Sequence, residues 1–159
     1  MPFQLDRAAD ALNTGFARVY QWYLVRTLVN SLRSKFSARP APADVDINVG
    51  TLSSFWIFDD RVTAPLHGFE DVFDYYAQSS SRQYLHAITV PTLLLQSKDD
   101  PFLPVDGLPG EDQLSDAVTL ELSERGGHVG FVEGASPLSP SYWLERRIPD
   151  YFDELITRH

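Results

Sequence analysis

Two short stretches of the chain contain residues whose types and spacing suit acid–base chemistry. In "LLLQSKDDPFLP", residues 93–104, an apolar run leads directly into Asp99 and Asp100. In "LSERGGHVGF", residues 122–131, His128 follows two glycines. A histidine that acts as a general base needs a carboxylate to hold its tautomer and to stabilise the imidazolium. One of these aspartates and His128 are therefore a candidate acid–base pair.

Each of these residues also has a structural interpretation. Asp99 or Asp100 would cap the turn after the strand, as aspartate often does, and for Asp99 this interpretation is the preferred one. His128 would then be an ordinary loop residue. Metal binding by His128 with the two aspartates is a weaker alternative, because no second His or Cys stands at ligand spacing. We therefore expect no metal site.

Two strands of a parallel sheet must position the pair. Residues 88–97 form a continuous apolar run, which is typical of a strand buried on both faces, and residues 117–123 predict a second strand. The segment between them must contain the crossover, with room for one short helix. Gly126 and Gly127 permit positive φ and close backbone approach, so a tight loop can direct the ring of His128 into a cleft.

The remaining elements are predicted to be helical or irregular. We predict one helix over residues 5–33, a packed irregular segment over 51–69 and a short helix within 70–80. Residues 139–159 predict a closing helix that bends or restarts at Pro149. The first helix has an apolar stripe wide enough to be covered on more than one side. That stripe contains Phe16, Val19, Tyr20, Tyr23, Leu24 and Leu28, widened by Trp22, Val25 and Val29.

Composition and charge exclude several classes of protein. The chain has 159 residues, enough for one domain, and its net charge is −9. An acidic body argues against a nucleic-acid partner, because phosphate contacts need clustered cations. No apolar run approaches the roughly 18 residues of a membrane span, and the N-terminus lacks the apolar region of a signal peptide. With no cysteine, disulfides and a Cys nucleophile are excluded, which fits a cytoplasmic location.

Four stretches together resemble a known family. They are "FDDRVTAPLHGFEDVFDYY", "VPTLLLQSKDDPFLP", "GGHVGF" and "YWLERRIPDYF". In order and spacing they resemble the C-terminal portion of an α/β-hydrolase of the YheT-like group, the bacterial relatives of abhydrolase-domain lipid esterases. The resemblance implies a serine hydrolase of carboxylic esters that uses no metal or organic cofactor. Asp100 matches its acid position and His128 its histidine.

The resemblance also implies the fold class. We expect an α/β chain that forms the C-terminal part of an α/β-hydrolase fold, with an incomplete sheet. Residues 1–159 would be one partial domain, with a cap-like helical region and connection over 1–87. Residues 88–159 would hold the last parallel strands, the acid and histidine loops and the C-terminal helix.

The nucleophile expected for this family is absent from the sequence. The Gly-x-Ser-x-Gly elbow does not occur, and the nearest string, "GASPL" at 134–138, lacks the second glycine. The oxyanion-hole loop and the first six strands are absent too. We therefore expect this chain alone not to turn over esters, and its exposed sheet edge to favour self-association or a complementing N-terminal half. The alternative is a non-catalytic binding or assembly module that retains a hydrolase remnant.

Other polar and aromatic residues have less specific interpretations. We expect a packed or hydrogen-bonded role for His67 and surface positions for His86 and His159. Asp59, Asp60 and Arg61 are predicted to form a salt-bridged turn. The aromatic residues around Trp56 suit a core more than an acyl pocket, and both interpretations stay open.

Overall fold

The computed structural model describes residues 3–46, 48, 50–134 and 139–157. Helices dominate the first half of this part of the chain, and two parallel strands dominate the second. The α-helices are α1 (Leu5–Leu12), α2 (Ala17–Ser37), α3 (Phe55–Phe58), α4 (Ala64–His67), α5 (Val72–Ser79) and α6 (Leu144–Thr157). The strands are β1 (Thr92–Ser97), β2 (Val118–Ser123), β3 (Val132–Glu133) and β4 (Ser141–Tyr142). Short 3₁₀ turns cover Ser81–Ala87, Val105–Gly107 and Glu111–Gln113.

The single helix predicted over residues 5–33 is wrong, because the chain breaks between α1 and α2. Gly15 lies at φ +50°, a left-handed conformation that the helix cannot continue through. The prediction that α2 is covered on more than one side is also wrong. Its buried face carries Gln21, Val25, Val29 and Leu32, at steps of three and four residues.

The rest of the predicted apolar stripe on α2 faces outward. Phe16 is 77% exposed and Tyr23 is 63% exposed, and Trp22 is exposed as well. Large apolar side chains therefore line the outer surface of the longest helix. None of the helices in the described residues combines the length and apolar character that a membrane crossing requires.

Residues 55–67, predicted to be irregular, form one helical segment. It begins at Ser54, whose side chain accepts a hydrogen bond from the N–H of Ile57, and ends at Gly68, which lies at φ +80°. A π-helical turn over Asp59–Thr63 joins α3 to α4. This wider turn disturbs the 3.6-residue period, which explains why the sequence pattern failed to indicate a helix.

The predicted salt-bridged turn among Asp59, Asp60 and Arg61 is wrong. The Arg61 guanidinium instead lies 3.4 Å from Oδ2 of Asp46. The two carboxylates accept hydrogen bonds from other residues: Thr63 and Tyr76 donate to Asp59, and the N–H of Val72 donates to Asp60.

β1 and β2 confirm the predicted parallel pair. Their register runs from Thr92 opposite Val118 to Ser97 opposite Ser123. Burial of the first strand on both faces is wrong for this chain, since Leu93–Gln96 are only half-buried and Ser97 alone is buried. The sheet that contains them has two strands within the described residues, so neither outer edge has a strand neighbour there.

Two apolar clusters pack parts of the chain together. The largest joins α2 to the 55–67 segment through Val25, Val29, Phe58 and Val62, among others. A second cluster contains Phe3 and Leu85 from the first half of the chain and Leu103 and Leu108 from the crossover, with Leu94 of β1 packed against it. The second cluster holds the end of β1 and the following turn in a defined position.

The C-terminal helix is tied to the sheet by a charged pair. α6 contains Pro149 without a restart, and the Nε of Arg147 lies 2.9 Å from both carboxylate oxygens of Glu121 in β2. A bidentate arginine–carboxylate pair fixes orientation as well as distance. It therefore sets the position of α6 along β2.

Candidate active site

The structure brings Asp100 and His128 into contact. Asp100 follows the carboxyl end of β1 and His128 follows the carboxyl end of β2. Because the strands are parallel neighbours, both ends lie at the same edge of the sheet. The Nδ1 of His128 lies 2.9 Å from the Oδ2 of Asp100.

The Asp100 carboxylate is buried and has several hydrogen-bond donors around it. Its side chain is 1% exposed. Oδ2 accepts a hydrogen bond from the amide of Gln96 at 2.7 Å, and Oδ1 accepts one from the backbone N–H of Phe102 at 2.8 Å. A buried carboxylate requires such donors, because desolvation without them is costly. The turn-capping interpretation thus holds for Oδ1, while Oδ2 faces the histidine.

The Nδ1 of His128 is bound to Asp100, while much of the imidazole ring is accessible to solvent. Its side chain is 54% exposed, and the Phe102 ring meets it edge-on at a centroid distance of 4.8 Å. The partner on Nδ1 determines which nitrogen carries the proton in a neutral imidazole. A proton on Nδ1, donated to Asp100, leaves Nε2 as a free base on the opposite side of the ring.

Two glycines shape the loop that carries His128. Gly127 has the predicted positive φ, at +61°. At Gly126 the predicted close approach of the backbone to its neighbours is observed. A Cβ at this position would lie 2.7 Å from the Phe131 ring and 3.0 Å from the Cβ of Ser97. A side chain at position 126 would therefore displace the loop from the end of β1.

Phe131 closes the other end of this loop. Its backbone N–H donates to the carbonyl of Gly126 at 2.9 Å, and its backbone is left-handed, with φ 42°. The ring is buried and stacks on Trp143 at a centroid distance of 5.6 Å. Residues 126–131 thus form a loop whose two ends are joined and packed.

Asp99 and Ser97 are site residues that the sequence did not identify. Asp99 does not cap the turn after β1; its Oδ1 accepts hydrogen bonds from the N–H groups of Gly126 at 2.9 Å and Gly127 at 2.8 Å. The Gly127 N–H is the main cause that lowers the pKa of Asp99 below its usual value. The hydroxyl of Ser97 donates to the Gly127 carbonyl at 2.5 Å. The two adjacent aspartates directly after β1 were the available signal, because both lie where the loop after β2 passes.

The other histidines lie away from this pair. His67, expected to be packed, is exposed at the end of α4, and His86 is exposed as predicted. His159 and residues 135–138 of the "GASPL" string lie outside the described residues. No group of three His, Cys, Asp or Glu side chains in the described ranges could hold a metal ion.

A half-buried carboxylate, that of Asp59, lies in the helical region. Burial raises the pKa of Asp59, while its hydrogen bonds from Thr63 and Tyr76 oppose that effect. Burial, followed by the charge of Asp59, raises the pKa of the Tyr76 phenol. The Trp56 ring packs edge-on against Tyr76, with 4.9 Å between centroids, and its Nε1 donates to Asp10. These contacts favour a structural role for the aromatic residues around Trp56.

A cavity of about 270 Å³ lies beside β2. It is lined in part by Glu121, Phe131, Glu133 and Trp143, and its lining contains neither Asp100 nor His128. The cavity is therefore separate from the candidate pair.

Comparisons with known proteins give a consistent family relationship. The chain is 41% identical over 153 residues to the "Putative esterase YheT" of Escherichia coli (strain K12), which covers 94% of this chain and 44% of that protein. It is 32% identical over 139 residues to the human "Phospholipase ABHD3", covering 87% of this chain and 34% of the relative. It is 33% identical over 113 residues to the human "Monoacylglycerol lipase ABHD2", covering 68% and 27% respectively.

The chain spans less than half the length of these relatives. No family model matches it, and no solved structure matches it. The parallel pair β1–β2 and the flanking helices agree with part of an α/β-hydrolase fold, and the partial coverage is consistent with the expected C-terminal portion. The chain is related to the YheT-like group of the α/β-hydrolase superfamily.

Proposed function

We propose that Asp100 and His128 are the acid and the base of a Ser–His–Asp triad that hydrolyses carboxylic esters. The observation that carries this proposal is the 2.9 Å contact between the Nδ1 of His128 and a carboxylate oxygen that is shielded from water. The esterase and lipase names of the relatives support an acyl ester as substrate. The serine comes from a polypeptide segment outside this sequence.

In this proposal each group has a distinct role. The Nε2 of His128 removes the proton from the serine hydroxyl as its oxygen attacks the ester carbonyl, and then gives that proton to the leaving alcohol. Asp100 holds the proton on Nδ1 and stabilises the imidazolium that forms. Water, activated by the same Nε2, then hydrolyses the acyl-serine. A base without a nucleophile performs neither step, so the 159-residue chain alone is inactive in this proposal.

Labelling with a serine-reactive fluorophosphonate tests whether the nucleophile lies outside the 159-residue chain. We expect no covalent labelling of the purified 159-residue chain, because its serines lack the strand–turn–helix setting that exposes a nucleophile. Mass spectrometry after incubation is the measurement. A longer protein that adds a Gly-x-Ser-x-Gly segment to this chain should be labelled, and His128→Ala in that protein is the matched control that should lose labelling. Labelling of the 159-residue chain itself would contradict the proposal.

We also propose that residues 1–87 and 88–159 are the two parts of one partial domain. The cluster that joins Phe3 and Leu85 to Leu103 and Leu108 supports this, since each part contributes to the same apolar core. An apolar core shared by both parts is the usual mark of one folding unit.

A second candidate function is non-catalytic assembly. The apolar outer face of α2 favours it, because monomeric proteins rarely expose contiguous apolar patches larger than a few hundred Å². In this candidate the α2 face, with the open sheet edge, pairs two copies of the chain or receives a complementing N-terminal half.

Sedimentation velocity tests this candidate. We expect the 159-residue chain to sediment as a dimer or larger species, and Tyr23→Lys to shift it to the monomer, because burying an unpaired charge in an apolar interface is costly. Ser34→Lys adds the same charge near the other end of α2 and should leave the association unchanged. A concentration-independent monomer for the unmodified chain would exclude self-association.

A further inference from the structure

We infer that Asp99 is a positioning residue for the candidate catalytic histidine, acting through the backbone of Gly126 and Gly127. The inference rests on the proposed function, because it assigns Asp99 the task of keeping the His128 ring against Asp100. It gives the two neighbouring aspartates separate tasks: Asp100 contacts the ring, and Asp99 holds the loop that carries the ring.

The first observation is a carboxylate bound to two successive amides. One oxygen of Asp99 accepts from the N–H of Gly126 and from the N–H of Gly127. Hydrogen bonds to a charged acceptor are roughly twice as strong as those between neutral groups. Asp99 therefore holds the two peptide groups that immediately precede His128.

The second observation is a hydrogen bond to the carbonyl oxygen of Gly127, the residue whose N–H binds Asp99. The hydroxyl of Ser97, which is fully buried, donates to the Gly127 carbonyl. The backbone N–H of Lys98 also donates to the Ser123 carbonyl at 2.8 Å and extends the β1–β2 ladder to the base of the loop. The end of β1 thus binds the Gly127 residue through both its N–H and its carbonyl.

The exposure of Asp99 and His128 indicates that Asp99 positions the histidine loop and does not mainly stabilise the fold. Asp99 is an exposed residue, so its carboxylate has no need of these amides to compensate for burial. The neighbouring cation, Lys98, forms an ion pair with Glu124. The His128 side chain is more than half exposed, so its own packing is limited and the direction of its backbone determines where the ring lies.

The loss of Asp99 has a specific consequence. Gly127 lies in a left-handed conformation, and glycine changes to other conformations at little cost. Without the Asp99 carboxylate, the N–H of Gly127 would donate its hydrogen bond to water. We expect the loop to sample other conformations, in which the imidazole no longer reaches Oδ2 of Asp100. The neutral ring would then lose the bond that keeps its proton on Nδ1.

Nitrogen-15 NMR of the 159-residue chain, labelled at histidine, tests this consequence. The readout is the tautomer of neutral His128. We expect the Nδ1–H form to predominate in the unmodified chain and to lose its majority in Asp99→Ala. Asp99→Asn keeps an acceptor oxygen and should retain most of the Nδ1–H form. Glu124→Gln removes a nearby carboxylate that bonds neither glycine, and it should leave the tautomer unchanged.

Asp100→Asn separates this inference from the proposed function. If Asp100→Asn leaves the tautomer unchanged, the acid–base pair itself is wrong. If Asp100→Asn changes the tautomer while Asp99→Ala does not, the pair stands and the positioning role of Asp99 is overturned.

Amide hydrogen exchange of the unmodified chain gives a test that does not depend on the folding of any variant. The N–H groups of Gly126 and Gly127 should exchange roughly fivefold or more slowly than unbonded loop amides, as expected for groups held by hydrogen bonds. Exchange at the rate of unbonded loop amides would overturn the inference, even if Asp99→Ala failed to fold.

Discussion

Asp100→Asn is expected to lower kcat for ester hydrolysis about 10⁴-fold in a protein that joins this chain to a serine-bearing segment. The Oδ2 of Asp100 faces the Nδ1 of His128, and an asparagine amide placed there can donate to Nδ1. The proton of the neutral imidazole would then move to Nε2, the nitrogen that must accept the proton of serine. Steady-state kinetics on a soluble ester, with kcat and KM determined separately, is the measurement.

Asp106→Asn is the matched control for this substitution. Asp106 is an exposed carboxylate whose ion pair with Arg7, at 3.6 Å, is also exposed, so we expect less than a twofold change. His128→Ala should be at least as damaging as Asp100→Asn, because it removes the base itself. A decrease of less than tenfold for Asp100→Asn, in a protein that remains folded, would show that Asp100 is not the acid of a triad.

Phe58→Ala should lower the free energy of unfolding by about 3–5 kcal/mol. Phe58 is 7% exposed and lies in the cluster that joins α2 to residues 55–67. Its removal leaves a cavity between α2 and residues 55–67, because the surrounding side chains relax only partly into such a space. Urea unfolding followed by circular dichroism measures the effect, with the midpoint and the slope fitted together.

Phe73→Ala is the control for that experiment. Phe73 is 68% exposed on α5 and contacts Trp56 at a centroid distance of 5.6 Å, so we expect a loss of about 1 kcal/mol or less. Equal losses for the two variants would show that the cluster around Phe58 is not a stabilising core. This comparison also tests how far the helical region is stable within a chain that spans less than half of its relatives.

The sequence predicted the candidate site more accurately than the helical region. The apolar runs before Asp100 and His128 predict parallel strands, and parallel neighbours place their carboxyl ends at one edge. The contact between Asp100 and His128 follows from this local rule together with the family resemblance. The positive φ of Gly127 was predictable for a similar reason, because a short loop after a strand requires a residue that tolerates it.

The helical region was predicted poorly because its local signals are ambiguous. On α2 large apolar residues occupy most of the circumference, so periodicity could not separate the buried Val25 and Val29 from the exposed Phe16 and Tyr23. In residues 55–67 a π-helical turn shifts the phase of the pattern. Which side of a helix is buried depends on where other elements lie, and that is not a property of the helix sequence.

The sequence by itself therefore predicted the two strands, the family relationship and, through that relationship, Asp100 and His128 as the candidate pair. Only the tertiary structure decided that Asp99 binds the amides of Gly126 and Gly127, and that Ser97 binds the carbonyl of Gly127. The physical reason is the range of the interactions. Strand formation depends on neighbouring residues, whereas these hydrogen bonds join groups about 30 positions apart, which meet only when β1 and β2 pair.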